Sequence, residues 1–470
     1  MISSLFRLDE HATSVRTEVL AGLTTFLTMA YIIFVQPAIL SGAMFGMETG
    51  IDFGAITAVT CLSSALATLI MGLYARYPIG LAPGMGENVF FVLSALPVAA
   101  AAGFAEPWRA ALGAVFVAGI LFLLISVTGV RAMLLDAVSH SMKHGIAVGI
   151  GLFIAFIGLS NARIVVADPG ATVKLNPDFL SPDVLVFLVG LLVAAVLHAR
   201  RVVGSIVWGM GAALLTALAL RWAVPLLPDS VSGSAAVTQS MLFTRFAPAD
   251  GIISAPPSLA PTFFRMDLTA ALSVSMVPMI LIFLFMDVFD TMGTLIAVGA
   301  QGGFLKDNRL PRANRAMIAD AVGTAAGACM GTSTVVPFIE SAAGVEAGGR
   351  TGLTAVTVAV LFVVALFFYP VVEMVGSYPP ITTPALLVVG VMMMRSITAI
   401  DWADLTEVIP AALTMMAIPF LYSIGDGIAV GLVTYPVVKS LGGKARDVRW
   451  SMWLLAVLLL AYFVFVRSRI

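Results

Sequence analysis

Apolar runs alternate with short polar loops along the whole chain, and counting stretches of the ~17–25 residues that cross a bilayer gives roughly thirteen to fifteen candidate spans. In the first half they fall near 18–40, 54–75, 110–129, 143–160, 183–198 and 203–222. In the second half they fall near 270–299, 316–330, 351–370, 383–397, 406–422 and 425–440. Two segments, 79–102 and 331–350, interrupt this pattern at matching places in the two halves. Each is apolar yet broken by Gly and Pro, and each carries acids or an amide at a depth where a spanning chain should be dry. The stretch 225–267 is polar and rich in Pro and Ser, and reads as the joint between halves.

The predicted fold class is therefore an all-α multi-span membrane protein of about fourteen segments, with segments 3 and 10 broken into a short extended stretch and a half-helix. Seven spans on each side of the joint make each repeat odd, so the second copy must enter the membrane upside down relative to the first. The expected division is 1–224 for the first inverted repeat, 225–267 for the joining loop and 268–470 for the second repeat, with an apolar segment at 450–466 as a last span or an appendage. With a cytoplasmic N-terminus, fifteen Lys and Arg fall inside, among them Arg131, Lys306, Arg309, Arg350 and Lys439, against six outside. That excess is what the positive-inside rule requires. Trp450 and Trp453 read as interfacial belt residues.

Composition agrees: 60% of the residues are hydrophobic and 11% charged, against about 45–50% and 25% in soluble domains. A net charge of −1 leaves no electrostatic footprint for nucleic acid. The first residues mix both charge signs and lack a short apolar region ending in a cleavage site, so an uncleaved amphipathic lead is expected. Cys61 and Cys329 both fall in spans, which argues against a disulfide framework.

The run FLFMDVFDTMGT at 283–294 places Asp287 and Asp290 three apart on one helix face. An acid at mid-span costs about 2.5–3.5 kcal/mol on insertion scales, so two imply a partner, a solute or protons. They could also be glue, bonded to Ser, Thr or backbone of neighbouring helices. At 331–344, GTSTVVPFIESAAG reads as an extended stretch breaking into a short helix, because Pro337 disfavours helix before it. Glu340 at that break can meet a bound solute. Glu346 stands four residues before Arg350, and a salt bridge between them is the expected structural use. The matching stretch PIGLAPGMGENVFF has three glycines and two prolines within nine residues, 78–86. Free backbone groups there are tolerated only when buried in protein or lining a cavity. Asn88 offers a donor and an acceptor, Phe90 or Phe91 offers a flat apolar face, and Glu87 adds an acid. A re-entrant structural plug is the plainer account of the same residues.

Two carboxylates, an amide and aromatic faces suit a neutral, flat, hydrogen-bonding heterocycle. Burial favours the protonated form of a carboxylate, so coupling to H⁺ follows. An anion carrier of the sulfate or bicarbonate type would need cations within the spans, and none is convincing. An intramembrane aspartyl protease needs its two Asp on separate helices, which Asp287 and Asp290 are not. His140 and His144 are spaced as a metal pair, but a third ligand is missing, so neither a metal site nor a cofactor is expected. The methionines at 392–394 read as packing.

At these residues the chain resembles the nucleobase–cation symporters, also called nucleobase–ascorbate transporters, and within them the AzgA-like hypoxanthine/adenine/guanine permeases. The motifs are AGLTTFLTMAYI at 21–32, PGMG at 83–86 with Asn88, DVFDTMGT at 287–294, ESAAG at 340–344 and GGRTG at 348–352. The resemblance implies fourteen spans in a core and a gate domain, and uptake of a purine base driven by a cation, usually H⁺ and alternatively Na⁺. It implies that substrate-binding acids fall on Asp287 and Glu340, a second acid of the eighth span on Asp290, and the amide of the third on Asn88. The family commonly has an apolar residue at Glu87, a small one at Glu346, and Ser, Thr or Tyr types at Val336, Pro337 and Phe338. The proton relay is then sought among Asp290, Glu87 and Glu346. The expected setting is a bacterial-type inner membrane, and a homodimer is compatible with it.

Overall fold

The computed structural model describes residues 2–128, 138–168, 170, 172–179, 181–305 and 310–465. Arg131, Lys306, Arg309 and Val466, placed above by sequence, lie outside the described residues. In the first half, α1 (Val15–Met29) runs on through a break at Ala30 and Tyr31 into α2 (Ile32–Leu40), followed by α3 (Phe53–Ile70). The strand β1 (Leu81–Pro83) leads into the short α4 (Met85–Phe90), which continues as a π-turn and a further helical stretch to Ala101. Then come α5 (Pro107–Thr128), α6 (His140–Asn161), α7 (Pro182–Ala199) and α8 (Ser205–Ala223). The second half gives α9 (Val277–Gln301), α10 (Ala313–Met330), β4 (Val335–Pro337), α11 (Ser341–Glu346) and α12 (Gly352–Ala365). It ends with α13 (Pro379–Met394), α14 (Leu405–Phe420), α15 (Ile424–Lys439) and α16 (Trp450–Phe465).

Among the described residues ten helical stretches are long and apolar enough to cross a bilayer. Adding α10, α14 and the two strand–helix units gives fourteen crossing elements, with α16 as a further apolar helix against α15. α10 is rich in Ala and Gly rather than strongly apolar. It packs between α5 and α3, so it contacts protein rather than lipid.

The helices form two groups. One contains α1–α5 and α9–α12, with α10 against α5 and α12 against both α1 and α3. The other contains α6, α7, α8, α13, α14 and α15, knit by the α6–α13, α6–α14, α7–α8 and α14–α15 contacts. These groups correspond to the core and gate domains expected from the resemblance.

Three local expectations change. The eighth span starts at Val277, not near 270, because Leu268–Ala271 forms a separate turn capped by Asp267 and Pro278 sets a new helix start. Before α7 the chain makes an unpredicted hairpin, β2 (Val165–Asp168) with β3 (Thr172–Leu175). The joint 225–267 is not simply a polar loop. Met241, Leu242 and Phe246 are buried, and the backbone N–H groups of Met241 and Leu242 donate to the buried Asp183 at 2.9 and 3.1 Å.

Small residues set the closest helix approaches. A Cβ on Gly352 would stand 1.8 Å from the Gly72 carbonyl oxygen, where the start of α12 crosses the end of the α3 span. A further tie joins the ends of α14 and α15. Lys439 Nζ lies 3.2 Å from Asp404 and 2.5 Å from Glu407, and Lys444 Nζ lies 2.7 Å from Asp404. The Lys444 ammonium, with the Thr406 hydroxyl, holds the Asp404 carboxyl well below the usual carboxylate range.

Gly352→Val should push α12 off α3 and lower the melting temperature by several degrees. Gly211→Ala, whose Cβ would meet nothing within 4 Å, should leave it unchanged. A depressed folded-state pKa contributes stability above the unfolded value and loses it as pH falls through the folded one. The melting-temperature deficit of Asp404→Asn should therefore be constant from pH ~8 down to ~5 and shrink only below the ordinary Asp value of about 3.9.

Candidate functional site between the two broken segments

β1 and β4 pair antiparallel, with Leu81 opposite Pro337, Ala82 opposite Val336 and Pro83 opposite Val335. The pairing extends at both ends: the N–H of Gly84 donates to Thr334 O at 3.0 Å and that of Phe338 to Gly80 O at 2.9 Å. Each strand is also held by a threonine of the helix before it. Thr68 Oγ1 accepts from the Leu81 N–H at 2.8 Å and donates to the Leu81 carbonyl at 2.9 Å. Thr324 Oγ1 accepts from the Val335 N–H at 3.0 Å and lies 3.2 Å from the Val335 carbonyl. Backbone that would be intolerable in lipid is thus paired within the protein.

Around this two-stranded cross the structure collects the acids and amides singled out from sequence, and adds others. Asp287 is fully buried on α9 and accepts from Thr324 Oγ1 at 3.1 Å through Oδ2, while its Oδ1 has no partner. Asn88 on α4 accepts from Ser333 Oγ and leaves Nδ2 without a partner. Glu340 Oε1 accepts from the Tyr31 hydroxyl at 2.8 Å, so the break between α1 and α2 also reaches the site. Asp287 and Asp290 share a helix face but not a depth. Asp287 points into the packing against α10, whereas Asp290 is exposed.

Glu87 is buried with its carboxylate folded back over the helix start, so close that a Cβ on Gly84 would lie 2.1 Å from Oε2. Phe90 and Phe91 are fully buried against Phe283, with ring centroids 4.7 and 6.4 Å away. The expected Glu346–Arg350 salt bridge is absent among the described residues. Glu346 accepts from Gln301 Nε2, and the Arg350 guanidinium donates instead to the carbonyls of Val345 and Gly349.

Two participants escaped the sequence reading. Asp320, fully buried on α10, accepts from Thr291 Oγ1 on α9 and leaves Oδ1 without a partner. Gln36 on α2 donates to Thr332 Oγ1 and leaves Oε1 without one. An acid and an amide inside apolar helices were visible signals. The mild composition of α10 and the proximity of Gln36 to Pro37 hid them. The carboxylates interact electrostatically in a chain: Asp290 with Glu340, Glu87 with Asp290 and Asp287, and Asp320 with all three of Asp287, Asp290 and Glu87.

The site opens on one side. Asp290, Gly293, Ala297 and Gln301 follow helical spacing down α9 and are all exposed, facing the end of the protein that carries Arg312 and Arg350. Half-buried Glu340 and exposed Glu346 belong to the same path. Exposed carboxylates at this depth belong to a water-filled path, since facing lipid would be costly. Half-buried Phe289 stands beside Asp290, with Lys143 Nζ of α6 5.2 Å from its ring centroid. Chemically, the arrangement presents carboxylate acceptors, one amide donor and one amide acceptor around the strand cross, with no buried cation beside them among the described residues. It can hold a neutral solute with several ring N–H donors.

A family model described as "Permease family" (Xan_ur_permease) matches residues 16–431. The guanine/hypoxanthine permease PbuG of Bacillus subtilis is 40% identical over 99% of this chain and 100% of its own length. The adenine permease AdeP of Escherichia coli is 37% identical over 99% of this chain and 96% of its own. Among solved structures, the transmembrane domain of the cyanobacterial bicarbonate transporter BicA superposes with a TM-score of 0.58 at 14% identity, covering 88% of this chain and 97% of that one. That likeness shows a shared fold alone. With fourteen crossing elements, a site at the meeting of two broken segments and relatives matched end to end, the chain belongs to this permease family of integral membrane transporters.

Proposed function

We propose that the chain is a secondary transporter that takes a purine nucleobase across the membrane together with a proton. The observation that carries this reading is the set of unpartnered buried polar atoms at one place: Asp287 Oδ1, Asn88 Nδ2, Gln36 Oε1, Thr334 Oγ1 and Asp320 Oδ1. Buried polar atoms are nearly always partnered, so five around one strand cross mark where a ligand supplies the missing bonds. A purine offers ring N–H donors to carboxylates, and ring nitrogens or a carbonyl to the Asn88 amide. The purine-permease relatives agree with that chemistry. In this reading Asp287 and Glu340 hold the base and Asn88 sets its orientation. Phe90 and Phe91 shape the wall through Phe283, and Phe289 gives the accessible ring face.

Proton coupling follows from charge balance. Glu87, Asp287, Asp290, Asp320 and Glu340 are gathered without a balancing cation among the described residues, and like charges at low dielectric cannot all persist. Asp290, exposed to the open path and within electrostatic reach of Glu340, is the entry point for the proton, with Na⁺ the alternative ion. Asp320 and Glu87 lie behind it, and Glu346 stands at the mouth. The further parts of the reading are two inverted repeats at 1–224 and 268–470, a bacterial-type inner membrane with a cytoplasmic N-terminus, and a dimer as the assembly to test. On that orientation the open path faces the cytoplasm. The anion-carrier alternative shares the fold, but the acidic site repels its substrate.

Labelled hypoxanthine uptake in a transport-deficient cell tests the reading. Glu340→Gln should abolish saturable uptake while the protein still inserts and melts cooperatively; native kinetics in that variant would refute the site. Asp320→Asn should slow net uptake and weaken its dependence on the pH gradient, with exchange of internal for external base less affected. If a protonophore leaves native uptake unchanged while removal of Na⁺ stops it, the coupling ion is Na⁺. Competition by sulfate or bicarbonate instead of purines would favour the anion carrier.

A further inference from the structure

On the same side of the protein as the N-terminus, outside the transport site, lies a cavity of about 140 Å³ formed by four separate parts of the chain. They are the N-terminal segment, the end of the α3 span, the start of α10 and the start of α12. The volume far exceeds the ~10–15 Å³ that one water requires. Three arginines, Arg7, Arg76 and Arg312, line it together with His11. The one acid in the lining, Glu10, is already paired with Arg7 at 3.5 Å. Among the described residues no carboxylate forms an ion pair with Arg76 or Arg312.

The segments that carry these arginines are held in place. Arg76 sits at φ +58°, in the left-handed region that a residue with a Cβ rarely adopts. The next residue, buried Tyr77, accepts from the Arg312 backbone N–H at 3.2 Å, and its ring lies 4.6 Å below the Arg312 guanidinium. Arg7, itself at φ +53°, stands between Phe6 and Leu8, two buried anchors packed on Leu353 of α12. Phe6 and Leu8 thus fix the backbone that carries Arg7, whose counter-charge is Glu10, and the Tyr77 ring holds the Arg312 guanidinium, while among the described residues Arg76 and Arg312 have no carboxylate partner. Guanidinium forks match the oxygens of phosphate bidentately.

We propose that this cavity binds a phosphate group, whose occupant ties the N-terminal segment to the starts of α10 and α12. Two sources share that chemistry: the headgroup of an anionic phospholipid at the membrane face, and a soluble phosphate ester. The proposal does not depend on the transported solute.

The test uses the purified full-length protein in phosphatidylcholine nanodiscs, with thermal unfolding and titration read for inorganic phosphate, a nucleoside monophosphate and added phosphatidylglycerol. A saturable rise in melting temperature with the soluble probes identifies a soluble ester, and a rise with phosphatidylglycerol alone identifies a lipid. In either case the double variant Arg76→Gln/Arg312→Gln should weaken apparent affinity by at least about tenfold. Arg76→Lys/Arg312→Lys, which keeps the charge and loses the fork, should fall between. Native melting of the unliganded variants separates loss of the site from misfolding. No saturable response to any probe, or an equal response in the native protein and the glutamine variant, overturns the proposal.

Discussion

The pairing of β1 with β4 is the constraint on which the rest of the structure depends. Each broken segment brings extended backbone into the middle of the membrane, where an unpaired N–H or C=O costs several kcal/mol. Neither stretch can satisfy itself, because each is only three residues long. Paired with each other and fastened by Thr68 and Thr324, they satisfy one another across the two halves. Once they cross, their following helices α4 and α11 must diverge from one place. Asn88 and Glu340, on or beside those helices, are thereby brought to the same region as Asp287. Thr324 serves both purposes: the hydroxyl that holds Val335 also lies 3.1 Å from the Asp287 carboxylate. Loss of that hydroxyl would therefore disturb the strand and the acid together, so the site and its scaffold are not separable at this residue.

The same cross explains why the site opens in one direction. Beside α4, close packing leaves little space: a Cβ on Gly86 would stand 3.0 Å from Ile150 of α6, and one on Gly425 of α15 would stand 2.9 Å from Phe90. Down α9, by contrast, small residues at Gly293 and Ala297 leave the helix face uncovered from Asp290 to Gln301. Bulk on one side and small residues on the other give a path to the carboxylates from the end marked by Arg312 and Arg350. Glu346 and Gln301, bonded to each other, stand at its mouth.

How much of this was legible in the sequence depended on contrast. The spans were readable to within a few residues because apolar runs stand out against short polar loops. Asp287, Glu340 and Asn88 stood out for the same reason, as polar residues in apolar or broken surroundings. Asp320 had no such background, since its helix is built of Ala, Gly and Thr and owes its burial to neighbours far away in sequence. Glu18 and Asp183 were unreadable for another reason. Acids in the first turn of a helix are expected on electrostatic grounds, yet both are buried and bind distant segments. Glu18 accepts from the backbone N–H groups of Arg350, Thr351 and Thr354 and from the Thr354 hydroxyl, and Asp183 accepts from the Tyr378 hydroxyl at 2.7 Å. The misassigned Glu346 shows the limit of helix periodicity. Four-residue spacing from Arg350 suggested a pair, but α11 ends at Glu346, so the two are not on one helix.

The shared fold with a bicarbonate transporter's transmembrane domain sharpens what the side chains decide. A strand cross flanked by short helices fixes where a solute can sit but leaves its charge open. In this chain the residues gathered at the cross are five carboxylates and two amides, and on the open path Lys143, from the other helix group, has its Nζ 5.2 Å from the ring centroid of Phe289. A permanent anion entering there would meet like charge at low dielectric from several directions. On the proposed reading, a neutral base with N–H edges instead meets acceptors, and protons relieve the repulsion among the acids when the base leaves. On the proposed reading, Asp287, Asp320 and Glu340 set selectivity, not topology.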